Sequence, residues 1–246
     1  MNLLAIDTAT EQFSVALAAG DAAAESAGAA PSVLLFEADA GLRHSELVMD
    51  IIDMLLDKAA LKPRDLSGVV CMGGPGSFTG LRIGFAIAKG LALSLGIPFA
   101  AIPTLDCLAW PFSAWPGAVV SALDAKKGAF FCALYRGGKR LIPDMDAAPS
   151  EIASAIGAAI SAVLADTPSP VLLTGPGAPL LYEKIYTPET KLEINPGKGL
   201  RWGNAQTLLQ IAQETDCVTR CNTDPSCGPV YIRKSDAEIQ GLGTGD

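Results

Sequence analysis

Asp7-Thr8-Ala9-Thr10 is the first place in this sequence where side chains are spaced for chemistry. A carboxylate and two hydroxyls follow directly on a short apolar run, an arrangement that can hold Mg2+ and phosphate at the mouth of a hairpin. The same residue types also close turns by bonding their own backbone. Asp124-Ala125-Lys126-Lys127-Gly128 repeats the theme 117 residues later. Ala9 stands where a hairpin that lets phosphate approach its backbone would carry glycine, which counts against a nucleotide in the chain's own cleft. The segment from Gly73 to Arg82, GGPGSFTGLR, reads as a strand end, a Gly-rich turn and a helix start, so its helix-start N–H groups can bind an anion. No Gly-Lys-Ser/Thr closes it, and Thr79 holds the sixth place of G-x-G-x-x-G, so neither phosphate-loop pattern is met. Its local chemistry predicts a tight turn with Ser77 or Thr79 as the N-cap. Asp7, Thr8, Thr10, Gly76, Ser77, Thr79 and Asp124 are therefore the nucleotide or phosphate candidates.

Other catalytic patterns are missing. His44 is the single histidine, so a two-His metal site cannot form, and neither a G-x-S-x-G elbow nor H-E-x-x-H occurs. Cys217, Cys221 and Cys227 follow a C-x3-C-x5-C spacing that is not a usual zinc spacing. Cys71, Cys107 and Cys132 sit in apolar runs, as buried thiols do. Reduced thiols fit a cytoplasmic chain.

The elements that must position these groups come in two similar series. Leu3–Asp7, Phe13–Ala18 and Val33–Glu37 read as strands, the last after the Ala- and Gly-rich stretch 19–31. Leu47, Val48, Ile51, Ile52, Leu55, Leu56 and Ala59 keep a 3.6-residue period. A strand at Val69–Met72, a helix at Thr79–Leu95 and a strand at Ile97–Ile102 follow. The second half repeats the order, with strands at Val119–Asp124 and Phe130–Tyr135. A helix capped by Ser150, a strand at Val171–Thr174, a short helix, a strand at Leu192–Ile194 and a helix capped by Asn204 complete it. Asp7/Asp124, Phe13/Phe130, Ala16/Ala133 and Leu17/Leu134 share one offset, and Gly74-Pro75-Gly76 recurs as Gly175-Pro176-Gly177. Together these matches indicate an internal duplication. Two βββαβα lobes, each opening on a strand that ends in Asp, predict the α/β duplicated actin/sugar-kinase/Hsp70-like (RNase H-like) fold, with a mixed five-stranded sheet and helices in each lobe.

The chain has 246 residues, half of them hydrophobic and 18% charged, which suits a well-filled globular protein. Acids outnumber bases 26 to 18, a net charge of −8 that argues against gripping nucleic acid unaided or binding membranes through a polybasic anchor. The opening MNLLAID has no basic stretch and its apolar run stops at an acid after six residues, so it is not expected to be a signal peptide. The richest apolar stretch, Leu81–Leu95, contains Arg82 and Lys89, which argues against a membrane span. Two helices are nonetheless more apolar than burial of one face requires. Eight of the ten residues Leu47–Leu56 are apolar, and the helix that includes Leu81 is apolar nearly all round. Such a pair predicts a docked partner. The candidates are His44, Leu47, Val48, Met49, Ile51, Ile52 and Leu55 on the first helix and Arg82, Ile83, Phe85 and Ile87 on the second.

LAIDTAT at Leu4–Thr10, RHSE at Arg43–Glu46, GPGSFTGLRIG at Gly74–Gly84, AKGLAL at Ala88–Leu93, LDAKKG at Leu123–Gly128 and PVYIR at Pro229–Arg233 resemble the TsaB (YeaZ) family. Ala129 departs from the Glu often found there, and the stretch 19–31 is longer than expected. The resemblance implies the two-lobed fold, with lobes at 1–102 and 103–227 and the segment 228–246 packing back on the first. It implies a non-catalytic scaffold and activator in the bacterial machinery that makes N6-threonylcarbamoyladenosine at position 37 of tRNAs reading codons that start with A. In that machinery a synthase makes threonylcarbamoyl-AMP, and the metal-bearing paralogue TsaD transfers the group within a heterodimer joined by the ATPase TsaE. TsaD carries H-x-x-x-H where this chain has Thr104 and Leu108, and neither can replace imidazole as a ligand. The implied state is a cytoplasmic homodimer when alone, with no cofactor or metal of its own, ATP or ADP with Mg at most at the partner interface, tRNA bound only through the complex, and no membrane. The alternatives are an ATP-binding small-molecule kinase or ATPase of the same fold, or a protease of the old M22 label.

Overall fold

The computed structural model describes residues 1–20, 31–39, 44–163, 170–186, 192–194, 203–215, 217–220 and 228–232. Strands β1 (Leu3–Asp7), β2 (Gln12–Ala19), β3 (Ser32–Asp39), β4 (Gly68–Gly74) and β5 (Phe99–Pro103) form the first sheet, in the order β3-β2-β1-β4-β5. Strands β6 (Val119–Asp124), β7 (Phe130–Arg136), β8 (Lys139–Ala147), β9 (Val171–Thr174) and β10 (Leu192–Ile194) form the second, in the order β10-β9-β6-β7-β8. β1 pairs antiparallel with β2 and parallel with β4, as β6 does with β7 and β9. The two sheets thus have one topology, as the duplicated sequence predicts.

Helices α1 (His44–Lys58) and α2 (Phe78–Leu95) cover one face of the first sheet. Leu4, Ile6, Phe13, Val15 and Leu17 meet Val48, Ile52, Leu55, Phe85 and Ala88 there. Side chains alternate along a strand, so Leu3, Ala5, Ala16 and Ala18 face the other way. That second face is covered by α6 (Ala205–Thr215), through Leu208, Leu209, Ile211 and Ala212. β1 is buried along its whole length because both faces are covered. The second sheet is built alike. Helices α4 (Pro149–Val163) and α5 (Ala178–Ile185) cover one face, and α3 (Thr104–Ala109) covers the other through Leu105, Leu108 and Ala109. A four-residue helix, α7 (Cys217–Arg220), places Val218 in the first core. Each half therefore lends the helix after its fifth strand to the opposite sheet.

Three sequence expectations need correction. β8 was not located by pattern. Ser150 lies inside α4, whose first turn is closed by Glu151: its carboxylate accepts from the Ala148 N–H at 2.9 Å. Ala205–Thr215, which falls in the second half of the sequence, packs on the first sheet. Of the segment expected to pack back on the first half, residues 228–232 are described, and the Val230 N–H donates to Gly73 O at 2.8 Å.

α2 is long and apolar enough by length and composition to cross a membrane, and a third of it is buried against the rest of the protein. Its inner face packs on the sheet, and its start packs on the first hairpin. Ser77 caps it by accepting from the Gly80 N–H at 3.2 Å, while the Ser77 N–H donates to Ala9 O at 2.7 Å. A Cβ at Gly80 would lie 1.9 Å from Thr8 O, whereas one at Gly90 would meet nothing within 4 Å. Gly80→Ala should therefore cost about 1–3 kcal/mol through forced overpacking. Gly90→Ala should gain about 0.5–1 kcal/mol from helix propensity. Urea denaturation midpoints of the two variants check the opposite signs.

Candidate functional site

Asp7 ends β1 fully buried, opposite Ser14 on β2, which in turn faces Glu37 on β3. Its carboxylate accepts from the Ala9 N–H (3.0 Å), the Asn204 N–H (2.9 Å) and Asn204 Nδ2 (3.1 Å). The next amide, Ala205 N–H, donates to Ser14 Oγ at 3.0 Å. The N-terminus of α6, which favours negative charge, is thus seated on a carboxylate of the same chain. Glycine permits the contact, since a Cβ at Gly203 would lie 2.1 Å from Ser14 Oγ. Thr8 is buried and donates to Gly80 O at 2.7 Å, and a Cβ at Gly76 would lie 2.5 Å from Ala9 O. Thr10 Oγ1 donates to Gln12 O at 3.2 Å, and Thr79 is exposed. The glycines of the GPGSFTG segment therefore admit the chain's own first hairpin.

The second hairpin mouth differs. Asp124 is exposed and accepts from the Lys126 N–H at 2.7 Å and from Lys126 Nζ at 3.2 Å. Lys126, Lys127 and Gly128 all have positive φ. The residue that corresponds to Asn204, the N-cap of the helix after the fifth strand, is Pro103. Proline has no N–H to give. The carboxylate that is locked in the first half is exposed in the second.

Thr104 and Leu108 lie on α3. Thr104 is fully buried, and its Oγ1 has no hydrogen-bond partner among the described residues. Leu108 is buried among Leu105, Val119, Leu123 and Leu172. A metal held at these two positions does not fit, because one offers a lone hydroxyl and the other a hydrocarbon. No group of three His, Cys, Asp or Glu side chains is placed to hold a metal among the described residues. Cys221 and Cys227 lie outside the described residues, as does the side chain of His44. Burial, with Asp7 and Asp106 nearby, pushes the Cys107 thiol well above its usual range, which keeps it protonated and inert.

The helix candidates divide into two groups. Val48, Ile52, Leu55 and Phe85 are core residues and cannot meet a partner. Leu47, Ile51, Ile83 and Ile87 are half-buried, while Met49 and Arg82 are exposed. The outward surface of α1 is Met49 and Met54 among Asp50, Asp53 and Asp57. On α2, Arg82 lies 3.8 Å from the Phe78 ring centroid, and its Nε donates to Tyr231 Oη at 3.1 Å. The Tyr231 ring also packs against Phe78, tilted by 40° with centroids 5.0 Å apart.

The family model described as TsaD, tRNA N6-adenosine threonylcarbamoyltransferase, matches residues 37–175. The chain belongs to that family. Within it the chain is similar to "tRNA threonylcarbamoyladenosine biosynthesis protein TsaB" of Bacillus subtilis, 35% identical over 138 residues that cover 55% of this chain and 56% of the relative. The protein of the same name from Escherichia coli is 34% identical over 140 residues, 55% of each chain. The chain spans about half the length of the curated relatives it matches. The solved structure of YeaZ from Pseudomonas aeruginosa superposes with a TM-score of 0.70 at 22% identity, covering 94% of this chain and 99% of that one, which establishes a shared fold.

In the sequence Asn204 is legible only as a helix cap and Ser14 carries no signal, although both tie the first hairpin to the start of α6. Asp7→Ala should cost about 3 kcal/mol, because buried donors lose a charged acceptor. A double-mutant cycle with Asn204→Ala should show a coupling of about 1–3 kcal/mol. Burial and the nearby Asp7 raise the Glu37 carboxyl above its ordinary 4.5. The folded state then holds more protons than the unfolded state just above that value, so stability falls as pH rises through the window. Glu37→Gln should raise Tm near neutral pH and leave it unchanged below about pH 4, as thermal melts at both pH values will report.

Proposed function

We propose that this chain takes part in the synthesis of N6-threonylcarbamoyladenosine at position 37 of tRNA, as the scaffold and activator of a TsaD-type transferase. Its kinship with the transferase family and its likeness to proteins named TsaB support the pathway. The observation that carries the non-catalytic role is Leu108. At the second metal-histidine position this chain has a leucine buried in the core between α3 and the second sheet, with an unpartnered Thr104 at the first. The chain then holds no metal or cofactor of its own. Any ATP or ADP with Mg binds at the partner interface, because Asp7 and Thr8 are committed to bonds within the chain. Docking uses the outward faces of α1 and α2, either for a second copy or for the transferase, with the ATPase TsaE joining the assembly. tRNA is bound through the complex, in keeping with the −8 charge, and the setting is the cytoplasm.

Reconstitution with a TsaD-type transferase is the test. This chain alone should give no transfer, and its addition should give multiple turnover. Met49→Glu should leave the melting curve intact and weaken association at least tenfold, about 1.4 kcal/mol, with full activity restored at saturating concentration. Val48→Glu should instead unfold the protein, because it buries a carboxylate in the first core. Transfer by the chain alone, or full stimulation by both Met49→Glu and Met54→Glu without weaker association, would overturn the reading. In a gel shift at physiological salt, tRNA should be retarded by the complex and not by this chain.

A further inference from the structure

A cavity of about 330 Å3 opens between α3, the C-terminal end of α6 and the β7–β8 turn, at the end of the β6–β7 hairpin opposite Asp124. That volume lies within the range of small-molecule sites. Its wall is mostly apolar, with Ile102, Trp110, Phe112, Val119 and Ile211. One polar group interrupts it. Asp106 Oδ1 accepts from Tyr135 Oη at 2.7 Å and from Arg140 Nε at 3.1 Å, and Arg140 Nη2 bonds the same oxygen. Arg140 Nη1 bonds Asp144. Two carboxylates thus face one guanidinium, so the cluster carries surplus negative charge and disfavours an anion. Asp106 Oδ2 has no hydrogen-bond partner among the described residues, and Asp106 lines the cavity. An apolar chamber whose polar wall offers a spare carboxylate oxygen suits a flat ring that bears N–H donors.

We propose that this cavity binds a small aromatic amine or amidine, its ring against the Trp110 and Phe112 side and its N–H groups donating to Asp106. Ring contact with tryptophan adds cation–π attraction when the ligand is protonated, and a carboxylate acceptor roughly doubles the strength of each N–H bond. α3 covers the second sheet and α6 the first, so an occupant would touch both halves of the duplication.

Ligand-observed NMR titration of the full chain tests this, with 2-aminobenzimidazole as the probe and benzoate as an anion of similar size. Saturable binding of the probe and none of benzoate is expected. Asp106→Asn should weaken the probe by at least about tenfold. Ser113→Phe, at an exposed position of the cavity lining whose side chain makes none of the carboxylate bonds, should block the probe while the melting curve stays unchanged, which keeps the test decisive if Asp106→Asn fails to fold. Absence of saturable binding, equal binding of benzoate, or wild-type affinity in either folded variant would overturn the proposal.

Discussion

A buried carboxylate that seats the start of a helix 197 positions away is the interaction on which the architecture turns. Asp7 can lie fully buried because three donors meet it and because it sits where α6 presents its partial positive charge. The junction fixes three things at once: the curl of the chain after β1, the entry angle of α6, and the face of the first sheet that α6 covers. The GPGSFTG turn then packs on the adjoining Thr8 and Ala9 through glycines with no side chain to intervene. The mouth of the first hairpin is thus occupied by residues of the same chain.

Duplication explains the frame, and its breakdown explains the specialisation. Both halves use one strand order and both send a helix to cover the other half's sheet. Asn204 supplies an amide and a carboxamide to the first carboxylate, whereas the residue in the same order of the other half, Pro103, has neither group. Asp124 is left to bond Lys126 at the surface. The first end is locked and the second open, and Thr104, which follows Pro103, keeps a hydroxyl with nothing to bond among the described residues.

Most strands were legible because short β-rich runs between turn residues leave few alternatives, and the paired Asp positions exposed the repeat. β8 was not, since Lys139-Arg140-Leu141-Ile142-Pro143-Asp144 lacks alternation. It is an edge strand, where proline and charge are tolerated. The two long helices face inward more than their composition suggests. Val48, Ile52, Leu55 and Phe85 look like surplus apolar residues in one dimension but are what the first sheet needs, and composition cannot say which turn of a helix meets the sheet. The partners of Asp7 were out of reach for another reason: they come from the far end of the chain, where no local pattern points back. Asp106, Tyr135 and Arg140 likewise converge only through the packing of α3 against β7 and β8.

The exchange of helices has a consequence for synthesis. The inner face of the first sheet, with Leu3, Ala5, Ala16 and Ala18, is complete in sequence by β5 but is covered only when Leu208 and Leu209 arrive. At translation speeds of about 5–20 residues per second, that face stays uncovered for roughly 5–20 seconds after β5 emerges from the ribosome. The nascent first half cannot finish as an independent folding unit. It must wait, apolar and open to chaperones, for a helix encoded after the whole second sheet.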